Sequence, residues 1–184
     1  MAESLTLYSQ EVEHALSLQP GELLTLARPM EPQPEWEVMR YCWNGMSEPE
    51  FWAKQSPFGK IGAEFWVQEE WNAIPGHGKR FFIFKTGFPS DDGTTWHPSS
   101  TMKQEASRLT LIHKGTEVKR VQYVTEDECE AMNMKLSKCG FWGDNEIPIK
   151  SRKQGFVYYW RDNYGDKYPW DSNPWIFLGK FEVR

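Results

Sequence analysis

From Phe65 to Trp71 the chain reads Phe-Trp-Val-Gln-Glu-Glu-Trp. Successive side chains of a strand point to opposite faces, so Phe65, Val67, Glu69 and Trp71 share one side and Trp66, Gln68 and Glu70 the other. If the apolar side faces inward, Glu69 is carried into the interior. A buried carboxylate must be paired, hydrogen-bonded or protonated, because an isolated one is prohibitively costly. This segment therefore predicts both a half-buried strand and a polar partner waiting beneath it.

The neighbouring segments extend the pattern. Arg80 to Lys85 is apolar and aromatic on both faces, which predicts a strand buried on both sides, and Pro75 to Arg80 reads as the tip of a hairpin rather than a phosphate loop. Ser107 to Ile112 and Thr116 to Tyr123 are β-rich runs around Lys114-Gly115, and read as a second hairpin. Trp175 to Val183 is a last strand, entered through Asn173-Pro174. Helices are predicted from Gln10 to Leu18, with Val12, Ala15, Leu16 and Leu18 on one side, and from Gln154 to Tyr164, where Phe156, Tyr159 and Trp160 share a face. Thr125 and Glu128 form a capping box that opens another helix, running to about Lys138 and ended by Cys139-Gly140. Glu48 to Lys54 reads as a further helical turn, and Pro29 to Pro34 as an extended connection. Short strands with two or three peripheral helices indicate an α+β domain built on a small mixed β-barrel, and the pattern alone does not separate that barrel from another α+β roll.

At 184 residues the chain is long enough for one domain with a core and short for two, so residues 1–184 are read as a single domain. Ten Trp mean that flat rings supply much of the buried area, and each indole N–H needs a partner. No apolar run approaches the roughly 18 residues of a membrane span, and no leader pattern opens the chain. Cys42, Cys129 and Cys139 lack metal or disulfide-framework spacing, and His14, His77, His97 and His113 have no ligand spacing either. No metal and no cofactor are expected, and a reduced cytoplasm fits best.

The net charge of −5 is unevenly spread. Residues 1–70 carry 12 Glu against four basic residues, and residues 71–184 carry 17 Lys and Arg against 14 Asp and Glu. A nucleic-acid binder usually shows a basic footprint, which must here be local. The one basic run interleaved with aromatics is Lys150-Ser151-Arg152-Lys153, followed by Phe156, Tyr158, Tyr159 and Trp160. It reads either as a grip on a single strand or RNA loop, or as a basic loop leading into a core-facing helix.

Three motifs in order carry a family likeness: Gly62-Ala63-Glu64-Phe65-Trp66-Val67-Gln68-Glu69-Glu70-Trp71; then Trp96-His97-Pro98-Ser99 with Met102 and Ala106-Ser107-Arg108-Leu109-Thr110-Leu111; and Trp170-Asp171-Ser172-Asn173-Pro174-Trp175. They resemble the ASCH-like, PUA-related proteins of bacteriophages and prophages, which read G-D-x-L-W-V-R-E-T-W, W-R-P-S-x-x-M-P-x-W-A-S-R-I-T-L and W-x-x-N-P-W-V-W. The resemblance runs from about Leu7 to Val183. It implies a PUA/ASCH-type barrel with a cleft for RNA, DNA or a nucleoside, lined or supported by Arg28, Glu69, Trp71, Trp96, Ser107 and Arg108, with Lys150, Arg152 and Lys153 as auxiliary contacts.

The chain departs from the family where the family does chemistry. ASCH-like proteins commonly read G-R-K-T-x-T-R-R ahead of a P-x-x-P-Q-P stretch; here Gly21 to Arg28 precedes Pro29 to Pro34, with Glu22, Leu23, Leu24, Leu26 and Ala27 at the Arg, Lys, Thr, Thr and Arg positions. Some members are amidohydrolases of acylated cytidine that use that Lys, a Thr and a Glu, and leucines cannot replace a lysine–threonine pair. His97 stands for the Arg of W-R-P-S. Glu69 reads either as an acceptor in the cleft or as half of an internal Glu69–Arg108 pair. The expectation is a non-catalytic module binding nucleic acid or a nucleoside. Two alternatives stand beside it. One is an acidic interaction factor whose N-terminal half docks on a basic host protein, such as a nucleic-acid-binding or defence enzyme. The other is a hydrolase rebuilt around Glu69.

Overall fold

The computed structural model describes residues 3–33, 55–76, 79–88, 93–134, 141–142, 145–146 and 149–184. The expected helical turn at Glu48–Lys54, Pro34, Cys42, His77 and the Lys135–Gly140 helix end lie outside them. The described part is mixed α+β. Its strands are β1 (Glu3–Thr6), β2 (Leu23–Pro29), β3 (Glu64–Gln68), β4 (Trp71–Gly76), β5 (Lys79–Phe84), β6 (Thr110–Arg120), β7 (Phe141–Trp142), β8 (Asn145–Glu146) and β9 (Trp175–Val183). The helices are α1 (Ser9–Ser17), α2 (Glu126–Ala131) and α3 (Arg152–Tyr164).

Five strands form one sheet in the order β1-β3-β6-β9-β2, while β4–β5 and β7–β8 are separate two-stranded ribbons. Among the described residues the sheet is open, with β1 and β2 at its edges, so no closed barrel forms. β1 pairs parallel with β3, from Glu3 opposite Phe65 to Thr6 opposite Gln68, and β3 pairs antiparallel with β6.

By chain contacts the protein divides into two compact units, residues 1–24, 61–113 and 181–184 in one and 25–60 and 114–180 in the other. In the first, the alternation at 65–69 is realised: Phe65, Val67 and Glu69 are buried and Trp66 and Gln68 are half-buried. Phe65 meets Phe181 edge-on at 6.3 Å. Helix α1 buries Val12, Ala15 and Glu11 but leaves Leu16 47% exposed, against the expectation that Leu16 shares the core face. The Glu11 carboxylate accepts from the Tyr8 N–H at 3.0 Å, closing the first turn.

In the second unit, α3 buries Phe156, Tyr159 and Trp160, and the Trp160 indole N–H donates to the Tyr168 carbonyl at 2.8 Å. The Thr125–Glu128 capping box forms in full at the start of α2. The helix is shorter than expected because Asn133 takes a left-handed conformation. The Met134 N–H then reaches the Cys129 carbonyl at 2.9 Å and the Asn133 N–H the Glu130 carbonyl at 2.8 Å, a Schellman ending.

Two strand expectations are corrected. Lys114-Gly115 makes no turn: β6 runs unbroken through it from Thr110 to Arg120, with the β-branched Ile112, Thr116 and Val118 on either side of the glycine. β5 is not buried on both sides either. It pairs only with β4, and Phe81 is 59% exposed directly opposite Ile74 at 47%.

Candidate functional site

The strand that begins at Glu64 leaves the five-stranded sheet at Glu69 and Glu70 and resumes as β4 at Trp71. The break is held by polar contacts that a continuous ladder would not supply. The Glu69 N–H approaches the Met102 sulfur at 3.4 Å, the Glu70 carbonyl accepts from the Lys85 N–H at 3.0 Å, and Trp71 bridges to His97 through reciprocal backbone bonds. This geometry turns the Glu69 side chain into the protein.

Glu69 is 2% exposed, and both of its oxygens are taken by one partner. Arg108 donates from Nε to Oε1 and from Nη2 to Oε2, each at 2.8 Å, the two-pronged geometry that suits a guanidinium to a carboxylate. Nη2 also donates to the Thr86 carbonyl at 3.1 Å, and the guanidinium lies 4.3 Å from the centre of the Phe84 ring. The Arg108 side chain remains 30% exposed, and its Nη1 group takes no part in these bonds. The internal pairing of Glu69 with Arg108, one of the two readings open from the sequence, is therefore what forms.

Ser107 is equally engaged. Its hydroxyl oxygen lies 3.1 Å from the Val67 N–H, 3.0 Å from the Val67 carbonyl and 2.9 Å from the Leu109 carbonyl. It accepts from the first and donates towards the other two, fastening β3 to the segment that precedes β6.

An aromatic surface adjoins the pair. Trp71 stands opposite Phe84 in the β4–β5 register. Its ring lies 5.3 Å from His97 and 5.9 Å from Phe82, and its indole N–H donates to the Thr101 hydroxyl at 3.1 Å. Trp71 is half-buried and His97 and Thr101 are exposed. Trp96 packs edge-on against Phe88 at 5.5 Å, outside this ring cluster.

No family model, curated protein or solved structure matches this chain.

Glu69, Trp71, Trp96, Ser107 and Arg108 thus belong to one unit, and Arg28, Lys150, Arg152 and Lys153 to the other. Two of the three basic contacts expected around Ser151 have structural partners: Arg152 donates to the Met134 carbonyl at 3.0 Å and to Glu130 at 2.8 Å, and Lys153 donates to the Gln122 carbonyl at 2.8 Å. Lys150 is exposed. Arg28 donates to the Ala27 carbonyl at 2.9 Å. Leu24 and Leu26 are buried, and Leu23 is 41% exposed. Phe82, Phe84, Thr86 and Thr101 complete the surroundings of Trp71 and Arg108. The aromatic run 81–84 signalled the rings, whereas nothing in the sequence pointed to the carbonyl of Thr86. Among the described residues no three His, Cys, Asp or Glu groups gather as metal ligands, and no helix is long and apolar enough to cross a membrane.

Proposed function

We propose that this chain is a phage-type ASCH/PUA-like module, non-catalytic, that binds nucleic acid or a nucleoside on the surface formed by Trp71, His97 and the outer edge of Arg108. The observation that carries the reading is the half-buried Trp71 ring, fixed through its N–H and flanked by an exposed imidazole, beside a guanidinium anchored on Glu69. A fixed ring with open area stacks an unpaired base without losing side-chain freedom, and a neighbouring cation favours the phosphate that accompanies it. A role for Glu69 as proton acceptor is disfavoured because both oxygens are already bonded to a permanently charged group. The burial of Leu24 and Leu26 leaves no nucleophile pair where the resembling hydrolases have one.

Titration with the four ribonucleoside monophosphates at low ionic strength, followed by calorimetry, tests this. Binding should weaken with added salt, and Trp71→Ala should reduce it by about 1–3 kcal/mol, the worth of one base–aromatic stack. His97→Ala should reduce it less. Wild-type protein that binds no mononucleotide and no oligonucleotide at low salt would refute the reading.

A further inference from the structure

The segment that follows Trp96 grips the start of β4 at three points. His97 and Trp71 exchange both backbone bonds, at 3.3 and 2.8 Å, so their side chains stand side by side. Ser99–Thr101 forms one turn of 3-10 helix, with the Thr101 N–H on the Pro98 carbonyl at 3.0 Å. Met102 then takes the Glu69 N–H on its sulfur at 3.4 Å. Thr101, held between these two anchors, brings its hydroxyl to the Trp71 indole.

The direction of that contact is forced. A threonine hydroxyl has one hydrogen, and an indole nitrogen can only donate. The Thr101 hydrogen is spent on the Pro98 carbonyl at 2.7 Å, which leaves the oxygen's lone pairs for the Trp71 N–H at 3.1 Å. The same carbonyl receives the Thr101 N–H, and the branched Cβ of threonine restricts χ1, so the acceptor is held in place from both sides. The other neighbours of the indole, Phe82 at 5.9 Å and His97 at 5.3 Å, are tilted rings. Such contacts supply area with little angular demand, whereas the N–H bond fixes which way the ring edge points.

We infer that Thr101 is the positioning residue of the Trp71 surface and that, by spending the only polar atom of the indole, it confines recognition there to the face of the ring. Every base has a face to stack, and a tryptophan without a free N–H has no hydrogen bond with which to tell one base edge from another. The ligand class at Trp71 is therefore any unpaired nucleobase. The inference rests on the nucleic-acid reading above and deepens it, because it gives a role to a side chain that need not touch the ligand.

Calorimetry with the four ribonucleoside monophosphates on Thr101→Val and Thr101→Ser, beside nuclear magnetic resonance of protein carrying nitrogen-15 tryptophan, tests it. The Trp71 indole signal is identified by its loss in Trp71→Phe. Valine keeps the shape of threonine without the acceptor, and Thr101 is exposed, so the core is left intact. Thr101→Val should bind all four nucleotides about three- to ten-fold more weakly, the cost of re-ordering one freed side chain on binding. Its Trp71 N–H should exchange with water faster than in the wild type, while the thermal midpoint stays close to the wild-type value. Thr101→Ser should restore both affinity and protection. Wild-type affinity in Thr101→Val overturns the inference while sparing the Trp71 surface, as does a serine variant that restores neither property. An affinity loss matched by a large fall in the midpoint overturns it too, since Thr101 would then be holding the fold rather than the ring. A wild type that selects one base by more than about ten-fold overturns the claim of recognition by ring face alone. A wild type that binds no mononucleotide overturns this inference and the nucleic-acid reading together.

Discussion

Removing Arg108 tests the central pairing directly. In an Arg108→Met variant the thioether retains apolar contact with Phe84, but the Glu69 carboxylate, 2% exposed, loses both its donors and the Thr86 carbonyl loses a third bond. Breaking one side of a buried pair typically costs about 3–5 kcal/mol. Arg108 is itself 30% exposed, so water reaches part of the gap and the lower end, about 3 kcal/mol, applies. For a chain of this length each kcal/mol shifts the melting temperature by roughly 2–4 °C, which gives a fall of about 6–12 °C. Glu69→Met with Arg108→Met removes both charges together and should cost much less than the sum of the two single variants, with a coupling of about 2 kcal/mol. Urea unfolding followed by tryptophan fluorescence, on the wild type, both singles and the double, measures all four corners. An Arg108→Met loss under about 1 kcal/mol, the range of exposed ion pairs, would refute the claim that Glu69 is truly desolvated. Strict additivity of the singles would refute it equally.

Ser107→Ala should destabilise the protein by about 1–3 kcal/mol in the same assay, because the Val67 and Leu109 backbone groups lose a shared partner. Thr125→Ala should cost about 1 kcal/mol by deleting the α2 cap, with little effect on nucleotide binding. Burial alone would raise the Glu128 carboxyl, but the Lys119 ammonium and the Thr125 hydroxyl and N–H together hold it below its ordinary value of 4.5. Its contribution is therefore present above the ordinary carboxylate range and lost as pH falls through the lowered folded value. The stability gap between wild type and Glu128→Gln should accordingly stay constant near neutrality and shrink below about pH 4.5. Burial pushes the Cys129 thiol up to about 12, so an alkylating reagent at pH 8 should label it only after denaturation, as read by peptide mass mapping.

What the sequence disclosed was local. The period-two pattern at 65–69 placed Glu69 on a buried face, and the spacing of Phe156, Tyr159 and Trp160 placed α3 on the core. The Thr125–Glu128 box marked a helix start to the residue. Features set by distant partners were not legible. The parallel pairing of Glu3–Thr6 with β3 has no signature in a short polar segment. Whether the strands close into a barrel depends on long-range pairing that period alone does not encode. Gly115 could serve a turn or an extended strand, and only the continuity of β6 decides between them. For the site, the sequence narrowed Glu69 to two roles and named its partner correctly. It could not show that a single guanidinium would occupy both oxygens, because that depends on how Thr86 and Phe84 present themselves to Arg108.

The hydroxyl of Ser107 doubles a link that the backbone already makes. It receives the Val67 amide hydrogen and faces the Val67 and Leu109 carbonyls, alongside the direct bond from the Val67 N–H to the Leu109 carbonyl at 3.1 Å. A single oxygen atom thus reinforces a rung of the ladder. Anyone wishing to graft new reactivity onto this surface should leave that atom alone and recruit the exposed side chain of His97 instead.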